Sequence, residues 1–118
     1  MNAVDEHPFF FYIAKDKQGL KDLEYGETYK EHLLEVPIER QDIDNSWDLI
    51  FALNEKLSLM IDIYEDEQIE LSALPKALEI TEMILKKEQD SNKKRSISKF
   101  LSVIKTAISY NSPLLIWW

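Results

Sequence analysis

Pro113-Leu114-Leu115-Ile116-Trp117-Trp118 is the stretch on which the fold turns. An unbroken apolar run behind a proline, with no polar position at helical spacing, predicts a strand, and a strand this apolar has to be buried by pairing. Its natural neighbour is Pro8-Phe9-Phe10-Phe11-Tyr12-Ile13-Ala14, equally rich in aromatic and β-branched residues and closed by Lys15-Asp16-Lys17-Gln18-Gly19, which reads as a turn. Pairing these two strands predicts an α+β domain in which a small sheet carries both ends of the chain and packs against three helices. The competing architecture is an all-α bundle with extended ends.

Between the ends, three segments carry helical periodicity. Asp44-Asn45-Ser46 offers N-cap residues for Trp47-Asp48-Leu49-Ile50-Phe51-Ala52-Leu53-Asn54-Glu55-Lys56-Leu57, with Trp47, Ile50, Phe51, Asn54 and Leu57 expected near one face and Leu53 beside them. Asp48 in the first turn and Lys56 in the last complement the helix dipole. A second helix places Leu74, Ala77, Leu78, Thr81, Ile84 and Leu85 on one stripe, with Ser72 as its cap and Pro75 tolerated in its first turn. The third has Ile97, Phe100, Leu101, Ile104, Ala107 and Ile108 at i, i+3, i+4, i+7 spacing. The polar run Glu88–Arg95 is expected to be the loop between these two.

Other segments have weaker patterns. Leu20 to Tyr29, interrupted by Gly26, reads as a loop with at most a short helical turn. Thr28 to Val36 reads as an exposed strand ending at Pro37. Leu59 to Tyr64 is strand-like, with an irregular connection as the alternative.

The chain has 118 residues, 45% of them hydrophobic, enough for a single domain over 1–118 with one real core. Cysteine is absent, so no disulfide or thiolate site is available. Acidic Asp5-Glu6 ahead of a short apolar run does not resemble a secretory leader, and no stretch approaches the roughly 20 apolar residues of a spanning helix. The expected compartment is the cytoplasm, with no membrane partner.

Searching for chemistry excludes more than it finds. Asp42-Ile43-Asp44-Asn45-Ser46-Trp47-Asp48 has oxygen ligands at alternate positions, but Trp47 stands where a calcium loop turns on Gly and Leu53 where it needs a bidentate Glu. Asp62 with Asp66 fails the same test. His7 and His32 are the only histidines and form no ligand motif. Two glycines, Gly19 and Gly26, cannot build a phosphate-cradling loop. No nucleophile elbow is present. The expectation is a non-enzyme with no cofactor and no metal.

The charge is what remains informative. The net charge is −8, and it is not spread evenly. Residues 22–70 hold fifteen acids against Lys30, Arg40 and Lys56, a net −12, whereas residues 71–118 are net +4 and residues 1–21 neutral. Concentrating like charge costs stability by self-repulsion, so a partner of opposite sign is a reason to keep it. The same field repels phosphate backbones and argues against nucleic acid as the partner. Basic protein partners are often nucleic-acid enzymes, whose substrate groove an acidic surface can occupy or obstruct.

Asn45-Ser46-Trp47-Asp48-Leu49-Ile50-Phe51, then Ile61-Asp62-Ile63-Tyr64-Glu65-Asp66-Glu67-Gln68-Ile69, then Leu74-Pro75-Lys76-Ala77-Leu78-Glu79-Ile80 together resemble small bacterial immunity proteins. These are the proteins encoded beside contact-dependent growth-inhibition and other polymorphic toxins. The resemblance covers residues 45–80 and implies a role: tight neutralisation of a cognate toxin, commonly a basic nuclease domain, without catalysis. The expected contact is Asp62, Glu65, Asp66, Glu67 and Glu70 around an aromatic anchor, Tyr64, with Asp42, Asp44 and Asp48 as a second acidic set. The alternative is a small acidic regulatory or adaptor protein that meets a different basic partner.

Overall fold

A computed structural model describes residues 9–28 and 31–118. Pro8, His7 and the Tyr29–Lys30 pair, to which the sequence reading assigned places, lie outside the described residues.

The architecture is α+β. Strands β1 (Phe9–Ala14), β2 (Leu33–Ile38), β3 (Asp66–Ile69) and β4 (Leu114–Trp117) form one antiparallel sheet in the order β2-β1-β4-β3. Helices α1 (Lys17–Glu24), α2 (Arg40–Asp44), α3 (Trp47–Leu57), α4 (Leu74–Lys87) and α5 (Ser91–Ser109) complete it. The pairing of the two apolar ends is as expected, with Phe11 opposite Ile116 and Ile13 opposite Leu114.

The sheet order explains the composition of its strands. β1 and β4 are central and covered on both faces, so both read as near-continuous apolar runs. One face sends Phe9, Phe11, Ile13, Leu114 and Ile116 into the main core with Ile50, Leu53, Ala77, Phe100 and Ile104 from the helices. The other face holds Tyr12, Ala14, Leu33 and Leu115 against Leu23 of α1, with Phe10 and Trp117 half-buried beside them. Of the two edge strands, Asp-Glu-Gln-Ile is polar, and Leu-Leu-Glu-Val-Pro-Ile breaks its apolar run with Glu35 and Pro37. Pro37 is tolerated in β2 because that strand is an edge.

Several local expectations are corrected. Lys15–Gly19 is not a turn and Leu20–Glu24 not a loop, because Asp16 caps α1 by accepting the Gly19 N–H at 2.9 Å. Gly19 is required there: a Cβ would collide with the carbonyl oxygen of His32, which accepts the Lys15 N–H. α1 buries only Gly19, Asp22 and Leu23, too little apolar surface to show as periodicity. The second strand runs past Val36 through Pro37 to Ile38, and β3 lies downstream of the apolar run Leu59–Tyr64, which is the irregular connection.

α3 has the expected ends but a rotated face. Leu49, Ile50 and Leu53 are buried, while Phe51 is 63% exposed. Ser46 does not cap it; its hydroxyl donates to the Asp42 carbonyl of the short α2. A single 3-10 turn over Leu71–Ala73 displaces Ser72 from the cap of α4. The loop before α5 shrinks to Glu88–Asp90, because the Asp90 carboxylate accepts the Lys93 N–H and starts the helix at Ser91. Among the described residues no helix is long and apolar enough to cross a membrane.

Candidate functional site: the acidic edge of the sheet

The edge strand β3 and the loop before it carry the acids of residues 62–70. α3 ends at Leu57, and Ser58 takes a left-handed conformation with φ of 56° that turns the chain back. The Asn54 side chain then grips the next segment in both senses, accepting the Ile61 N–H at 2.8 Å and donating to the Ile61 carbonyl at 3.0 Å. Ile61 is buried, which anchors the loop.

Beyond that anchor the backbone is strained at one point. Tyr64 has a φ of 64°, a conformation that costs a non-glycine residue roughly 1–2 kcal/mol. Its side chain is 69% exposed, with one flank against Phe9 at a ring-centroid distance of 6.5 Å. Met60, four residues earlier, is 78% exposed. Two large apolar side chains are therefore held outward among carboxylates.

The acids differ in what they do. Glu67 is committed to the fold, since its two carboxylate oxygens accept the Met60 N–H at 2.7 Å and the Gln68 N–H at 2.9 Å. The first bond fastens the loop along β3, and the second occupies a backbone donor of that edge strand. Asp62 accepts its neighbour's N–H, from Ile63 at 2.8 Å, and Glu70 accepts the Gln68 side-chain amide at 3.2 Å. Glu65 and Asp66 are exposed. Asp62 and Glu65 line a shallow depression of ≈ 300 Å³ together with Asn54, Leu59, Met60 and Ile61.

The second acidic set is divided. Asp42 is not a surface contact: it is 6% exposed and accepts from Ser96 Oγ at 2.8 Å and from Lys99 Nζ at 2.8 Å, tying α2 to α5. Burial pushes its carboxyl up, but the Lys99 and Ser96 hydrogen bonds pull harder and hold it below the usual value. Its place in the fold is invisible in sequence because its partners lie more than fifty residues away. Asp44 is exposed and accepts from Arg40 Nε at 3.2 Å and, weakly, from Trp47 Nε1 at 3.4 Å. Asp48 is exposed in the first turn of α3.

Two residues escaped the sequence reading. Phe51, expected in the core, stacks on Trp47 at 5.5 Å and is mostly exposed. Met60 lies in the apolar run Leu59–Tyr64, flanked by Leu59 and Ile61, so nothing in the sequence marks its side chain as outward. Tyr12 of the central strand β1 donates to Glu35 of the edge strand β2 at 2.7 Å, and burial together with that carboxylate pushes its phenol up to about 12.

The arrangement is a group of carboxylates around two exposed large side chains. Its acids project from an edge and a loop, and no group of three metal-ligating side chains occurs among the described residues. Comparison with known protein families, curated protein sequences and solved structures finds no match to this chain.

Proposed function

We propose that the protein is an immunity protein that binds a basic toxin domain, a nuclease, through the acidic edge and blocks it without catalysis. The observation that carries this reading is Tyr64. Its backbone is held in a left-handed conformation that is costly for a non-glycine residue, and its ring, flanked by Phe9, stays mostly exposed beside Glu65 and Asp66. The concentration of negative charge in residues 22–70 supports a basic partner, and so does the resemblance of residues 45–80 to immunity proteins.

Within this reading Tyr64 and Met60 are the apolar anchors. Glu65 and Asp66, with Asp62 and Glu70 beside them, steer and orient the partner. Glu67 holds the loop in shape. The experiment is co-expression with the product of the adjacent gene, followed by co-purification and a nuclease assay. Tyr64→Ala should weaken the complex by about 2 kcal/mol or more, roughly thirtyfold. Glu65→Lys with Asp66→Lys should slow association at low salt by roughly tenfold or more. A neighbour that is harmless alone and does not bind sinks the proposal.

A further inference from the structure

The opposite charge gathers at a second place. α3 and α4 meet along a groove of ≈ 460 Å³ lined by Ala52 and Lys56 of α3 and by Lys76, Glu79, Ile80, Met83, Ile84 and Lys87 of α4. It shares no lining residue with the depression beside the acidic edge. The floor is apolar, and Met83 is 52% exposed on it although Ile80, one turn away, is buried. Lys56, Lys76 and Lys87 form the exposed rim. Glu79 is the one acid among the described residues lining it, and it is paired with Lys76 at 3.3 Å.

This lining, three lysines to one acid, is opposite in sign to the acidic edge and agrees with the net +4 of residues 71–118. Along α4, Lys76, Met83 and Lys87 form an outward stripe at i, i+7 and i+11 beside the core-facing residues Leu74, Ala77, Ile80 and Thr81, with Ile84 partly buried against the same core. Two packed helices with such a stripe leave a seam that a third helix fills by ridges into grooves. Lys76 and Lys87 are eleven residues apart in one helix, so the seam is about 16 Å long, or three helical turns. Methionine on its floor can repack around an incoming side chain. The lysine stems cover apolar surface while their ammonium groups remain in water, ready to meet carboxylates.

We propose that this groove docks an amphipathic helix of a protein partner, with apolar residues at i, i+3, i+4 and i+7 and carboxylates along both flanks. The surface is distinct from the acidic edge and selects a partner of opposite charge. Burying Ile and Leu side chains on Ala52, Met83 and Ile84 supplies affinity, and the three lysines set orientation and exclude basic helices.

The test uses the full chain with isotope-labelled methionine methyl groups and a synthetic four-turn helix bearing Leu at i, i+3, i+4, i+7 and Glu on the flanks. A saturable shift of the Met83 methyl is expected, with Met60 unmoved. Lys56→Glu, Lys76→Glu and Lys87→Glu together should weaken binding by about tenfold or more, as should added salt. Met83→Glu should abolish binding, and the same peptide with Lys on its flanks should not bind. No saturation at Met83, or undiminished affinity for the triple variant, overturns the proposal. So does a Met83 response to dodecanoate but not to the peptide, which would assign the groove to an anionic amphiphile.

Discussion

Replacing Asp42 by Ala removes a carboxylate whose side chain is 9% exposed and which joins α2 to α5. Hydrogen bonds to charged groups contribute about 1.5–3 kcal/mol each. The full figure applies to Ser96, which is 1% exposed and keeps only the Asn45 side-chain donor once its acceptor is gone. The Lys99 share is smaller, because that side chain is 48% exposed and water takes up its charge; it falls to about 1 kcal/mol or less. Relief from desolvating the carboxylate offsets part of the sum. The expected loss is about 2 kcal/mol, or about 8 °C in Tm for a domain of this size.

The pH dependence has a definite sign. Asp42 has a folded pKa below its ordinary 3.8, so its contribution is present above that value and lost as pH falls through the lowered one. The gap between wild type and Asp42→Ala should therefore narrow on acidification below about pH 4. Lys99→Met should also be costly at pH 7 and be relieved by acid, since a protonated Asp42 needs no counter-charge. The assay is urea unfolding at fixed pH, with unchanged slope confirming that midpoints report stability. A difference under about 0.5 kcal/mol, or one constant from about pH 7 to pH 3, would refute the reasoning. Because Asp42 faces inward, Asp42→Asn should also leave partner affinity intact well below its melting temperature.

Other expectations follow from the same coordinates. Trp118 is 1% exposed and closes an edge-to-face triangle with Phe11 and Phe100, at 6.0 Å from each. Trp118→Ala should cost about 3–5 kcal/mol, whereas Trp118→Phe should cost far less, because it removes an indole N–H that finds no acceptor among the described residues; equal losses in thermal melts would contradict this. Gly19→Ala should destabilise by about 1–2 kcal/mol despite the better helix propensity of Ala, since the new Cβ meets backbone and not a movable side chain. His32 Nδ1 lies 2.9 Å from Asp16 Oδ2, a bond that raises the histidine above its ordinary 6.5 and lowers the aspartate below 3.8. The histidine's contribution is complete below its unfolded value and lost as pH rises through the raised one, while the aspartate's is lost as pH falls through the lowered one. The stability gap between wild type and His32→Gln should hence shrink as pH rises from about 6 to 8, a trend visible in melting temperatures.

Much of the fold was legible because it is locally encoded. α3 was bounded correctly from its apolar spacing and the polar segment ahead of it, and apolar periodicity located α4 and α5, although α5 begins at Ser91, inside the expected loop. The two central strands announced themselves by having no polar face. Edge strand β3, by contrast, is Asp-Glu-Gln-Ile, a composition that disfavours strands; it is extended because β4 offers it a ladder. α1 and α2 were missed because each is short and buries only two or three residues, below what a periodic pattern can register. The candidate site divides in the same way. Residues 62–70 could be read as one acidic stretch because they are contiguous, but whether each carboxylate is spent on the backbone or presented to a partner was not readable.

By itself, then, the sequence determined the class of fold, the pairing of its apolar ends and the polarised charge, since these depend on composition and on neighbours a few residues apart. Tertiary structure decided that Asp42 is a buried tie to Ser96 and Lys99, that Glu67 fastens a loop, and that Phe51 and Met60 face solvent. It also decided that three lysines distant in sequence rim a single groove. The physical reason is range: periodicity acts over a helical turn, whereas burial and hydrogen bonding of a charged side chain depend on elements that folding alone brings together.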